Sequence, residues 1–322
     1  MNNRKVLIPI GIIALLMVGY LIIDSMLFDG VRSRAINESG FQGTYYAPES
    51  TDGKTTVILL GGGQWGDYWA QYFAQNDMVG FSLPYIGRPG LPELPEEIAL
   101  EYFENALHWL AMQPEVDQNG IVVMGASRNA ELALVVASTF PNLVSGVVAY
   151  APSAVSWSNT VLPYNSNELK ASWTVKGMDI PYIPMDKIKG GESNTLDMLG
   201  YWESGLAKKE EAEGARIEVE RINGPILLFS GKDDQIWPSV KMADMIEQRL
   251  TEKGFRYSVQ NLQYDQSGHA ISGNPDDASS YPVLTMNIDG KDYEYEQGGT
   301  AEGDFQAKQD ARGKLMEFLG NL

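Results

Sequence analysis

The chain has 322 residues, 42 of them acidic against 24 basic, a formal net charge of -18 and no cysteine. That balance argues against nucleic acid as a partner, because releasing phosphate counterions needs clustered Lys and Arg, and no such cluster lies beyond the amino terminus. Without cysteine there are no disulfides, no cysteine-ligated metals and no thiol nucleophile, and the redox compartment is left open.

Asn3-Arg4-Lys5 is followed by an uninterrupted apolar run at 6–23, which ends at Asp24. As a helix it would extend about 27 Å, close to the roughly 30 Å hydrocarbon core of a bilayer. A helix of that length with no polar face points to a cleaved signal peptide or an uncleaved anchor. No A-x-A-like pair of small residues follows, and the run is longer than a typical signal core, so a transmembrane signal-anchor is expected. Arg4 and Lys5 then make 1–5 a cytoplasmic tip, 24–40 a connector, and 41–322 a folded domain on the extracytoplasmic side of the membrane. Acidity suits solubility there and disfavours a highly anionic substrate.

Strands are expected near Val57, Val79, Ile121, Val144, Ile226 and Tyr257, and helices near Trp69, Ile98, Arg128, Val240 and Gln306. No linker of Pro, Ser or charge repeats interrupts them, and no internal repeat is visible. Such alternation predicts one α/β domain with a mostly parallel central sheet and helices on both faces. Two segments break it. The first, 153–221, reads as a cap insert, in which Trp157, Tyr164, Trp173, Tyr182, Ile183, Met185, Met198, Tyr201 and Trp202 either line an acyl pocket or bury the insert against the domain. The second, 272–299, holds Asp289-Gly290 between alternating residues, which predicts a hairpin at 283–296.

Chemistry-bearing residues fall where the expected strands end. After Thr56-Val57-Ile58-Leu59-Leu60 comes Gly61-Gly62-Gly63-Gln64-Trp65-Gly66. Its spacing matches no nucleotide-binding loop, whereas its glycines let a backbone approach a substrate closely. After Ile121-Val122-Val123-Met124 comes Gly125-Ala126-Ser127-Arg128-Asn129, the strand-turn-helix spacing of a G-x-S-x-G nucleophile elbow, with Asn129 in place of the closing glycine. After Pro225-Ile226-Leu227-Leu228-Phe229-Ser230 comes Gly231-Lys232-Asp233-Asp234. Asp234 has the spacing of a triad acid, while Asp233 suits a turn. There are two histidines. His108 lies in an amphipathic stretch ahead of the elbow and reads as an ordinary helix residue. His269, in Ser267-Gly268-His269-Ala270, follows the acid in a late loop, completing the chain order Ser, Asp, His.

The segments above, with Ile98-Ala99-Leu100-Glu101-Tyr102-Phe103, Ala130-Glu131-Leu132-Ala133-Leu134, Tyr150-Ala151-Pro152-Ser153, Gln235-Ile236-Trp237-Pro238-Ser239 and Gly298-Gly299-Thr300, resemble one family over most of the chain beyond Gly40. It is the C-terminal catalytic domain shared by acyl-CoA thioesterases and bile acid-CoA:amino acid N-acyltransferases, within the α/β-hydrolase superfamily. The full-length thioesterases also carry an N-terminal β-sandwich, which is not expected within this chain.

The resemblance implies a Ser or Cys nucleophile at Ser127, an acid at Asp234 and a base at His269. Main-chain donors from Gly63, with Gln64 as the alternative, and from Arg128 would hold an oxyanion. The expected function is a membrane-anchored serine hydrolase acting on carboxylic esters or acyl thioesters, without metal or organic cofactor. Transfer of the acyl group to an amine or alcohol is the second reading. A catalytically silent binding protein, suggested by Asn129, is the third.

Overall fold

The computed structural model describes residues 17–19, 31–49, 53–159, 168–278 and 282–322. Apart from 17–19, the apolar run at 6–23 lies outside these residues, as does Tyr164. Among the described residues no helix is long and apolar enough to cross a membrane.

The domain opens with an antiparallel pair, β1 (Val31–Glu38) and β2 (Phe41–Pro48), turning at Ser39-Gly40. Residues 31–38 thus belong to the main sheet, although they were expected in the connector. Their pattern hid this, because only Val31 and Ile36 point into the core and the rest of the edge strand is exposed.

Three βα units follow. The first is β3 (Lys54–Leu60), α1 (Gly63–Gln75) and β4 (Val79–Leu83). A two-residue strand, β5 (Ile98–Ala99), precedes α2 (Glu101–Ala111), so the helix expected near Ile98 begins three residues later. The second unit is β6 (Val116–Ala126), α3 (Arg128–Thr139) and β7 (Gly146–Tyr150). The insert carries β8 (Trp173–Val175), β9 (Met178–Asp179), α4 (Met198–Leu206) and α5 (Lys209–Gly214). The third unit is β10 (Ile226–Gly231), α6 (Ser239–Glu252) and β11 (Val259–Tyr264). A hairpin, β12 (Val283–Ile288) and β13 (Lys291–Glu296), leads to α7 (Ala301–Leu319).

Eight strands form the sheet in the order β1-β2-β4-β3-β6-β7-β10-β11. It is parallel from β4 through β11, as predicted, and antiparallel at the β1–β2–β4 end. Central strands are continuous apolar runs because both faces are covered. On one face lie α2, α3 and α6, through Phe103, Leu107, Leu132, Val136, Met242 and Ile246. On the other lie α1 and α7, through Trp69, Phe73, Ala311, Leu315 and Phe318.

Trp157, Trp173, Ile183, Met185 and Trp202 of the insert are buried in the same core as the first of these faces. Of the two readings of that aromatic cluster, the structure supports burial against the domain for these five residues.

Candidate active site

Ser127 sits between β6 and α3 at φ 56 and ψ -122, a left-handed geometry that costs a non-glycine residue about 1–3 kcal/mol. Its N–H donates to the Tyr150 carbonyl (2.9 Å), and its own carbonyl accepts from Ala130 N–H (2.9 Å), so strand and helix both hold the turn. Close packing comes from Gly125, where a Cβ would lie 1.9 Å from the Asn129 carbonyl oxygen. Asn129 itself is an ordinary helical residue. The positive φ of the elbow falls on Ser127.

His269 Nε2 lies 3.0 Å from Ser127 Oγ, and His269 Nδ1 lies 3.0 Å from Asp234 Oδ2. The three side chains selected from the sequence therefore meet, while His108 is exposed on α2. Asp234 is 6% exposed, and both its oxygens are occupied. Oδ1 accepts from the N–H groups of Ile236 (2.9 Å) and Trp237 (3.2 Å), and Oδ2 also accepts from the Ser239 hydroxyl (2.7 Å). An ionised carboxylate only accepts, so it selects the tautomer with the proton on Nδ1 and leaves Nε2 free to take the Ser127 proton.

Several residues holding His269 escaped the sequence reading. Asp304, buried in the first turn of α7, accepts from Gly268 N–H (2.8 Å) and the Ser267 hydroxyl (3.0 Å) through one oxygen. Burial pushes its carboxyl up, a rise that those two donors only partly offset. The Gln297 carbonyl accepts from both His269 N–H (2.9 Å) and Gln235 N–H (3.3 Å), joining the base loop to the acid loop. Just upstream, β13 docks on the insert, with Leu196 N–H donating to the Glu294 carbonyl (2.8 Å). The Trp237 ring stands 5.9 Å from the imidazole at 80°, the inner end of a column running through Trp202 to Trp157. Gly298-Gly299-Thr300 was a visible signal for this brace, but a carbonyl such as that of Gln297 leaves none.

The glycine turn flanks the elbow. Gly61, Gly62 and Gly63 all have positive φ (95, 58 and 66). A Cβ on Gly61 would lie 2.2 Å from Asn129 Nδ2, and one on Gly62 would lie 2.7 Å from Pro84 N, whereas one on Gly63 would meet nothing within 4 Å. Gly63 and Gln64 open α1 and Arg128 opens α3, so their N–H groups have no partner inside their own helices. Two helix N-termini thus offer main-chain donors, one of them immediately after Ser127, a setting suited to developing negative charge.

The Arg128 side chain turns away into the insert. Its guanidinium pairs with Glu131 and donates to Ser172 Oγ (2.6 Å). Glu131 is fully buried and also accepts from the Ser156 hydroxyl (2.9 Å), Trp157 N–H (3.1 Å) and the Trp173 indole (2.7 Å). Burial pushes its carboxyl up, a rise that Arg128 and these donors only partly offset. Among the described residues no group of three or more His, Cys, Asp or Glu side chains could hold a metal ion.

Comparison with known proteins places this geometry in context. A family model described as "BAAT / Acyl-CoA thioester hydrolase C terminal" matches residues 98–321. The mouse acyl-coenzyme A amino acid N-acyltransferase 2 is 28% identical over 245 residues, covering 75% of this chain and 55% of that protein. The mouse mitochondrial acyl-coenzyme A thioesterase 2 is 29% identical over 249 residues, covering 76% and 51%. The chain thus spans about half the length of these curated relatives. A crystal structure of a putative dienelactone hydrolase from Klebsiella pneumoniae superposes with a TM-score of 0.54 at 14% identity, covering 91% of this chain and 98% of that one. The shared fold is that of the α/β hydrolases.

Proposed function

Since the chain belongs to the BAAT / acyl-CoA thioester hydrolase C-terminal family, we propose that it is a serine hydrolase that cleaves carboxylic esters or acyl thioesters through an acyl-enzyme on Ser127. The observation that carries this reading is the unbroken line from Asp234 through His269 to Ser127 Oγ, 3.0 Å at each step.

In this mechanism Ser127 Oγ attacks the acyl carbon as its proton passes to His269 Nε2. The tetrahedral oxyanion sits against the N–H groups of Arg128 and Gly63, with Gln64 as the alternative donor. Asp234 orients the imidazole and stabilises its cation. His269 returns the proton to the departing alcohol or thiol, and water, activated by the same imidazole, then releases the acid. The cycle as written uses only these side chains, main-chain donors and water.

The test is a panel of p-nitrophenyl esters from acetate to palmitate set beside acyl-CoA thioesters, with products analysed in the presence and absence of glycine and taurine. Turnover of esters or thioesters to free acid is expected, and no turnover of either class would overturn the reading. An amide product would instead assign the acyl group to an amine acceptor, as the name of the N-acyltransferase relative suggests. The net charge of -18 works against the polyanionic CoA group, so uncharged esters are the expected better substrates.

The proposal extends to location. The apolar run at 6–23 behind Arg4-Lys5 supports a signal-anchor, with the catalytic domain on the extracytoplasmic side. The full chain should stay with membranes after alkaline carbonate washing and be cut by protease added from outside. Release by carbonate would count against the anchor.

A further inference from the structure

Three consecutive glycines make a poor scaffold for a catalytic donor. All three occupy positive φ and have no side chain to anchor, so left to themselves they would sample many conformations. Here the turn is held from both sides. Pro84 fills the space a Cβ would need at Gly62, and the Asn129 amide fills that space at Gly61. Beyond these, Gly61 N–H donates to the Leu83 carbonyl (3.0 Å). Only at Gly63, the donor position, does the turn face open space.

The Asn129 amide is itself fixed. Its Oδ1 accepts from the Tyr85 hydroxyl at 2.8 Å, which leaves Nδ2 turned toward Gly61. Tyr85 is 3% exposed and edge-packed on Phe103 and Trp173, each 5.6 Å away, so its hydroxyl has little freedom. A glycine at the closing position of a G-x-S-x-G elbow has no side chain with which to make this connection.

We propose that Asn129 and Tyr85 are a positioning pair that fixes the Gly61-Gly62-Gly63 turn against the Ser127 elbow, so that the Gly63 donor stays in place as charge builds on the acyl oxygen. The inference rests on the acyl-enzyme reading above. It assigns Asn129 a constructive part in the site and removes the residue as a sign of lost activity. Neither side chain is asked to touch the substrate. Both act through the backbone of the turn, so they should matter to the transition state more than to substrate binding.

The experiment compares wild type, Asn129→Ala, Tyr85→Phe and the double variant on the best ester of the panel, together with their rates of fluorophosphonate labelling. Alanine suits the first turn of a helix, and phenylalanine keeps the packed ring. Each single variant should lose about 30-fold in kcat, because the donor is displaced and not deleted. KM should stay within about twofold, and the double variant should fall no further than either single one, as expected of groups that act as a unit. Labelling rates should fall in parallel, because the phosphonyl oxygen needs the same donors, while the shape of the pH-rate profile is unchanged.

If kcat stays within about threefold of wild type in both single variants, or the double loss equals the product of the single ones, the pairing is wrong. A loss confined to KM would also overturn it. Should Asn129→Ala fail to fold, Tyr85→Phe alone decides by the same criteria. A wild type with neither labelling nor turnover would remove the acyl-enzyme reading itself, whereas an active wild type with indifferent variants removes only the positioning pair.

Discussion

Replacing Ser127 with alanine is expected to abolish fluorophosphonate labelling and to reduce ester turnover by a factor on the order of 10^6, about 8 kcal/mol of transition-state stabilisation. The size follows from what is removed. Without Oγ there is no acyl-enzyme, and His269 has nothing to deprotonate but water. What remains is binding and the oxyanion donors, which by themselves retain a modest advantage over uncatalysed hydrolysis. Stability should not suffer, because alanine meets the same backbone strain at φ 56 and the elbow is held by main-chain bonds to Tyr150 and Ala130. The check is gel labelling and a turnover assay on protein whose thermal midpoint matches wild type. Undiminished labelling of Ser127→Ala would place the nucleophile elsewhere.

The second large effect is on stability. Glu131→Ala should destabilise the domain by about 3–5 kcal/mol, because it leaves a buried guanidinium without its counter-charge. The Arg128 side chain is 11% exposed, so water cannot replace the carboxylate. The Ser156 hydroxyl, Trp157 N–H and Trp173 indole lose their acceptor at the same time. Thermal unfolding should show a midpoint about 10 °C lower. Removing both charges by Arg128→Met with Glu131→Gln should recover much of the loss, since a buried pair is costlier to break than to replace. A Glu131→Ala midpoint within about 2 °C of wild type would mean that the insert docks without this network.

Much of this architecture was legible because the chemistry is periodic or local. Central strands such as Thr56-Val57-Ile58-Leu59-Leu60 read as continuous apolar runs because helices cover both sides of the sheet, and each marks the strand end where a loop must carry polar chemistry. The order Ser127, Asp234, His269 could be picked out because the chain has only two histidines and one of them precedes the elbow. Signals faded wherever a residue's surroundings come from distant sequence. β1 places just two side chains in the core, so its alternation is invisible in Val31-Arg32-Ser33-Arg34-Ala35-Ile36. Trp157 and Trp202 have the same composition whether they line a pocket or fill a core. Asn129 looked like damage to a motif, because Tyr85 and Gly61, the residues that give it a place, lie 44 and 68 positions away.

The carbonyl of Gln297, shared by His269 N–H and Gln235 N–H, has a consequence for how this site can fail. Local opening proceeds in contiguous cooperative units, and one acceptor binds the base loop and the acid loop into the same unit. Their amides should therefore exchange with solvent together, at one free energy, and the site passes between intact and fully dismantled. A half-assembled state, with an imidazole still on Ser127 but astray from its carboxylate, should then be sparsely populated.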